Sequence, residues 1–190
     1  MLIKKINATL AGLATLFILL HVLFMDITYL FHYYNPVMKV LFSTPFMICT
    51  ILHAFCSMVV IMINSDGTRL DLYTKQNVST LLQRMTAIIL IPFLPLHINT
   101  FSFLLNTSSE GKWGIFFLLM FSQVLFFGII FTHIAVSFSK MLITFGWLSD
   151  PSKQKTIDKV VYVVCAIAFA FSSFSIILGE LGAFRVPGGK

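Results

Sequence analysis

Charge is what this chain has least of. Of its 190 residues only 11% are Asp, Glu, Lys or Arg, and the acidic ones number 7. A soluble domain of that length needs roughly a quarter of its residues charged to cover its surface, so a free-standing globular domain is excluded. Cysteine is scarce too. Cys49, Cys56 and Cys165 lie in apolar runs, outside any C-x-x-C-H spacing for covalent haem attachment, and read as packing residues. No glycine-rich dinucleotide fingerprint and no thiolate cluster is present, which excludes flavin or iron-sulfur chemistry within the chain itself. Internal repeats of the inverted-half transporter kind are missing as well.

What fills the chain is hydrocarbon, at 58% hydrophobic residues with 21 Phe. Five apolar runs, about 8–31, 37–64, 79–105, 114–148 and 158–179, each exceed the roughly 20 helical residues that cross a bilayer core. The predicted fold class is all-α, an integral membrane bundle of five transmembrane helices forming one domain over residues 1–190. The first run resembles a secretory leader after Met-Leu-Ile-Lys-Lys, but it continues without a small-residue cleavage site and is expected to be retained.

Lys4, Lys5, Arg69, Lys75, Arg84, Lys140, Lys153, Lys155 and Lys159 fall at one side of the bundle, against Lys39, Lys112, Arg185 and Lys190 at the other. The positive-inside rule then puts the N-terminus in the cytoplasm and the C-terminus outside, in the inner (cytoplasmic) membrane. The net charge of +6 is topological and implies no nucleic acid. Tyr33, Tyr34 and Trp113 on one side, with Tyr73 and Trp147 on the other, fit interfacial aromatic belts. Turn formers at Asn64-Ser65-Asp66-Gly67-Thr68 and Ser149-Asp150-Pro151-Ser152 close the cytoplasmic ends of two helices. The segment 65–78, with Asp66, Arg69, Asp71 and Lys75, suits docking of a soluble partner and equally suits a solvated loop. External turns at Asn35-Pro36 and at 106–111 are too short to hold a catalytic domain.

Four histidines, His21, His53, His97 and His133, stand one apiece near the middle of the first four runs. An imidazole in hydrocarbon is costly and marks a functional site by default. Four of them can form two bis-imidazole pairs of the kind that hold b-type haem in a helix bundle. At about 1.5 Å of rise per residue, His97 lies toward the outer side and His133 toward the inner side. His21 and His53 both fall near the midplane, and height alone does not choose their partners.

The order of four helix-borne histidines over five spans resembles the di-haem cytochrome b subunit that anchors succinate:menaquinone and quinol:fumarate reductases. Leu82-Gln83-Arg84-Met85-Thr86-Ala87 leading to Leu96-His97-Ile98 is similar to that family's Arg-x-Ser/Thr-Gly helix before its third histidine. Thr132-His133-Ile134-Ala135-Val136-Ser137 through Leu142 to Gly146 resembles the segment carrying the fourth. Ala87 departs from the family, which usually has glycine there. The resemblance covers most of the chain. It implies His21 with His97 on an outer haem iron, His53 with His133 on an inner one, and a quinone, menaquinone or another, as redox partner. It also implies a flavoprotein subunit carrying FAD and an iron-sulfur subunit, both on the cytoplasmic side.

Propionates need cationic or hydroxyl partners, and Ser137 and Lys140 share the face of His133 at four and seven residues further on. Arg84 lies at comparable depth. These three are the candidate propionate partners, although either cation can instead snorkel to headgroups. Asp26, five residues beyond His21, is the candidate acceptor of a quinol proton, or else an acid that solvates the helix end. His32 and Glu180 read as interfacial. Two competing functions are a haem-free anchor or assembly protein with structural histidines, and a small transporter with a histidine-lined path. Pro92 and Pro95, just before His97, are expected to kink the third helix.

Overall fold

The computed structural model describes residues 2–63, 74–109 and 111–184. These form five helices: α1 (Leu2–Phe31), α2 (Pro36–Ile63), α3 (Thr74–Ser109), α4 (Trp113–Phe145) and α5 (Pro151–Phe184). All five are long and apolar enough to cross a membrane. The expected docking segment lies largely outside the described residues, as do Tyr73, Arg185 and Lys190.

Several helices run past the apolar stretches that announced them. α5 starts seven residues earlier than its hydrophobic run because Asp150 and Pro151 make a proper helix start. The Asp150 carboxylate accepts the Ser152 N–H at 2.8 Å, and proline occupies the first helical position, where no amide donor is needed. Those backbone and side-chain hydrogen bonds from Ser152 hold the exposed Asp150 carboxyl below its ordinary range. α2 repeats the device: Asn35 Oδ1 accepts the N–H groups of Val37 and Met38 before Pro36. α4 ends on Gly146, whose left-handed φ of 78° suits glycine, with the Trp147 N–H returning to the Leu142 carbonyl. α1 ends at exposed His32, which takes a positive φ of 53°. Pro92 and Pro95 lie within the continuous α3.

α1 packs along α2, and α4 packs along both α3 and α5. Two hairpins, α1–α2 and α3–α4, therefore meet through α1 against α4, with α5 bracing α1 and α4, while α2 and α3 barely touch. A core of Ala14, Ile18, Phe46, Phe126, Ile130 and Cys165 fills the centre, which agrees with a packing role for that cysteine. The polarity gradient is inverted relative to a soluble bundle. Gln123 and Thr100 are 2% exposed, whereas Phe121 and Ile167 are 65% exposed. Ala87 is exposed.

α5 comes close to Tyr29 of α1 at Gly179. A Cβ there would fall 2.8 Å from Tyr29 Cβ and 2.9 Å from Tyr29 Cγ, atoms too near the backbone to swing aside. Gly179→Ala is expected to destabilise the bundle by about 1–3 kcal/mol. The check is the thermal midpoint of the detergent-solubilised protein. Equal heat stability of Gly179→Ala and the parent protein would refute the close contact, and Tyr29→Ala in the Gly179→Ala background is expected to recover part of the loss.

Candidate functional site

All four helix-borne histidines are at least partly buried, and two of them make a direct ring contact. His21 of α1 and His97 of α3 face each other with ring centroids 6.5 Å apart and planes at 83°. His133 of α4 lies within electrostatic range of His53 of α2. His21 and His97 sit toward the end that carries the α1–α2 and α3–α4 connections. His53 and His133 sit toward the opposite end, so the pairs form two levels along the bundle.

Hydrogen bonds assign the protonated ring nitrogen of three of the four imidazoles. Thr86 gives its only hydroxyl proton to the carbonyls of Leu82 and Gln83, at 2.8 and 3.0 Å. Its oxygen then accepts from His133 Nδ1, 2.9 Å away, which also reaches the Gln83 carbonyl, a group that can only accept. His53 Nδ1 lies 3.2 Å from the backbone oxygen of Asn7 and donates to it. Asn7 is itself held by Ser57, whose hydroxyl donates to Asn7 Oδ1 at 3.0 Å.

At His97 the hydrogen bonds link three residues in series. Thr100 donates to the Leu96 carbonyl at 2.7 Å, so it must accept from Gln123 Nε2 at 2.7 Å. That orients the amide with Oε1 toward His97 Nδ1 at 2.6 Å, and Nδ1 is the donor again. Three histidines thus carry the proton on Nδ1 and present Nε2 as a bare lone pair, the form in which imidazole binds a metal. His21 Nδ1 is buried with no hydrogen-bond partner among the described residues. Phe126 stacks on the His97 ring at 4.6 Å between centroids.

A cavity of about 260 Å³ opens beside the His21 and His97 pair and receives residues from all five helices. Asp26 and Lys39 line it along with both histidines. Asp26 is 5% exposed and accepts a hydrogen bond from Ser172 Oγ at 3.0 Å, so it does not solvate a helix end. Glu180, read as interfacial, is also largely shielded, beside Tyr29.

Around His133 the candidates fare differently. Lys140 donates to Thr80 Oγ1 and Gln83 Oε1, at 3.2 and 3.0 Å, which ties it to α3 rather than to the membrane surface. Arg84 lies within electrostatic range of it. Ser137 Oγ is buried and has no partner among the described residues. Ser139 donates to Asp158 and links α4 to α5 at the same level.

The separation of His21 and His97 fits a bis-imidazole site, and His53 and His133 supply two further imidazoles at the other level. A metal–imidazole bond is about 2 Å and the ring centroid lies about 1 Å further, so two imidazoles on one iron have centroids about 6 Å apart. Among the described residues no group of three or more His, Cys, Asp or Glu side chains could hold a bare metal ion. Thr100, Gln123, Asn7 and Ser172 escaped the reading of the sequence, although Gln123 carries the same signal as the histidines, a polar side chain inside an apolar run. No protein-family model, curated protein or solved structure matches the chain.

Thr86→Val keeps shape and volume but removes the hydroxyl acceptor of the His133 N–H, leaving it the Gln83 carbonyl. A loss of about 0.5–1.5 kcal/mol is expected. The control, Thr132→Val, removes an exposed hydroxyl that only bonds its own helix, and should stay within about 0.5 kcal/mol of the parent. Comparative unfolding of the two variants in micelles reads the difference; equal stabilities would overturn the assignment of the His133 proton.

Proposed function

We propose that the chain is an integral membrane subunit holding two b-type haems, the anchor of a succinate dehydrogenase or fumarate reductase complex. It would pass electrons between an iron-sulfur subunit and a membrane quinone. The observation that carries this reading is the pairing of His21 with His97, at the separation that two imidazoles on one iron require. The Nδ1 protonation of His53, His97 and His133, and the proximity of His53 and His133 at another level of the bundle, support it. Five apolar helices with exposed phenylalanines outside and amides and hydroxyls inside support a multi-pass membrane protein. The distribution of Lys and Arg favours a cytoplasmic N-terminus, and so places the flavoprotein and iron-sulfur subunits beside the level of His53 and His133.

Haem supplies one-electron transfer when bound. The chain's own contribution is geometric and electrostatic. His21 and His97, like His53 and His133, come from different hairpins, so each pair ties α1–α2 to α3–α4 across the seam where α2 and α3 barely touch. Lys140, Arg84 and Ser137 offer donors to anionic propionates near His133. Asp26, hydrogen bonded by Ser172 in the cavity shared with His21 and His97, can take a proton from a quinol at its carboxylate.

A dithionite-reduced minus oxidised spectrum with pyridine haemochrome quantification tests this on the purified protein or its native complex. About two b haems per chain are expected from the two imidazole pairs. His97→Ala should lose one haem and keep the other, and His133→Ala should lose the other one. A folded, haem-supplied preparation without haem would leave a colourless anchor, or, if vesicles show solute flux without a redox partner, a transporter.

A further inference from the structure

Ligation alone does not account for the amide buried in α4. Gln123 is 2% exposed, surrounded by apolar helix, and both ends of its amide are engaged. A leucine or methionine would fill the same volume without the desolvation cost of a primary amide. The residue must therefore be understood through its partners, His97 and Thr100, which lie three residues apart on one face of α3.

We propose that Gln123 and Thr100 are positioning residues for His97, forming a relay that starts at the Leu96 carbonyl and determines which imidazole nitrogen is free to bind iron. The inference rests on the reading of His97 as a haem ligand. The Leu96 carbonyl takes the Thr100 proton, Thr100 can then only accept, and the amide cannot turn over without setting its oxygen against the Thr100 lone pairs. With Oε1 held against Nδ1 at 2.6 Å, the proton stays on Nδ1 and Nε2 stays bare.

The relay makes the pair unequal. His97 has its N–H accepted by a well-oriented amide and its ring stacked on Phe126, while His21 Nδ1 lacks a partner among the described residues. A hydrogen-bonded imidazole is the more basic ligand, and it favours the oxidised metal. Gln123 therefore also lowers the potential of the haem held by this pair relative to the same pair without it. His53 and His133 use a backbone carbonyl and a threonine, so the two levels are tuned by separate partners.

The test uses the full-length chain, supplied with haem, in nanodiscs. Redox titration and haem content are measured for the parent, Gln123→Leu, Gln123→Glu and Thr100→Val. Gln123→Leu is expected to weaken haem binding at one site by about 10–100-fold, to raise the potential of what remains, and to spare the second haem. Gln123→Glu should restore occupancy and shift that potential below the parent's, which a purely structural residue would not do. Thr100→Val should move the potential upward, in the direction of Gln123→Leu. A parent with two haems whose content and potentials are unchanged in both Gln123→Leu and Thr100→Val would overturn the relay, and retention of the second haem certifies folding. Nitrogen-15 NMR of the haem-free, histidine-labelled chain reads the relay independently of ligation. His97 protonated on Nδ1, and losing that preference in Thr100→Val, supports the relay even if the parent binds no haem; His97 protonated on Nε2 would refute it.

Discussion

A hydroxyl surrounded by hydrocarbon has one proton to give and nowhere outside the protein to place it. In this bundle the buried threonines spend that proton on backbone carbonyls of their own helix, Thr100 on Leu96 and Thr86 on Leu82 and Gln83. Everything downstream follows from that expenditure, because a hydroxyl that has donated can only accept. The amide of Gln123 is oriented by it, and the protonation of His97 and His133 is determined by it. Water would dissolve such a chain of constraint by offering each group another partner; an apolar interior does not.

The same constraint explains the architecture. Helices satisfy their own backbones, so what remains to organise the bundle are the few polar side chains buried between apolar helices. Each contact of that kind joins two elements: Ser57 and His53 to Asn7, Gln123 to Thr100 and His97, Lys140 to Gln83, Ser172 to Asp26. The apolar core adds area, but apolar contact is a weak guide when lipid is as apolar as leucine. Small residues then matter where backbones must come close, as at Gly179 against Tyr29.

Much of this could be read from the chain alone. Five apolar runs longer than a bilayer core announce five helices, and a histidine near the middle of each of the first four announces where to look. Helix ends were less legible, since hydrophobicity sees only the part of α5 that is apolar, not the start that Asp150 and Pro151 build before it. Asp26 was visible as an isolated acid, but its spacing from the helix end suggested solvent, and only packing against α5 buries it. Lys140 was visible as a cation near His133, yet its attachment to Thr80 and Gln83 depends on α3 lying beside α4.

The sequence by itself determined the class of structure, because the length and apolarity of a helix are properties of consecutive residues. It also determined which side chains had to be satisfied internally. The tertiary structure alone decided the partners. His21 meets His97 rather than His53, and Gln123 reaches Thr100, because hairpins α1–α2 and α3–α4 meet at one particular register. That register comes from side chains more than twenty positions apart in the chain, and no local spacing encodes it. Hydrogen-bond direction is the last thing to be settled, since a proton's place depends on every acceptor within reach at once.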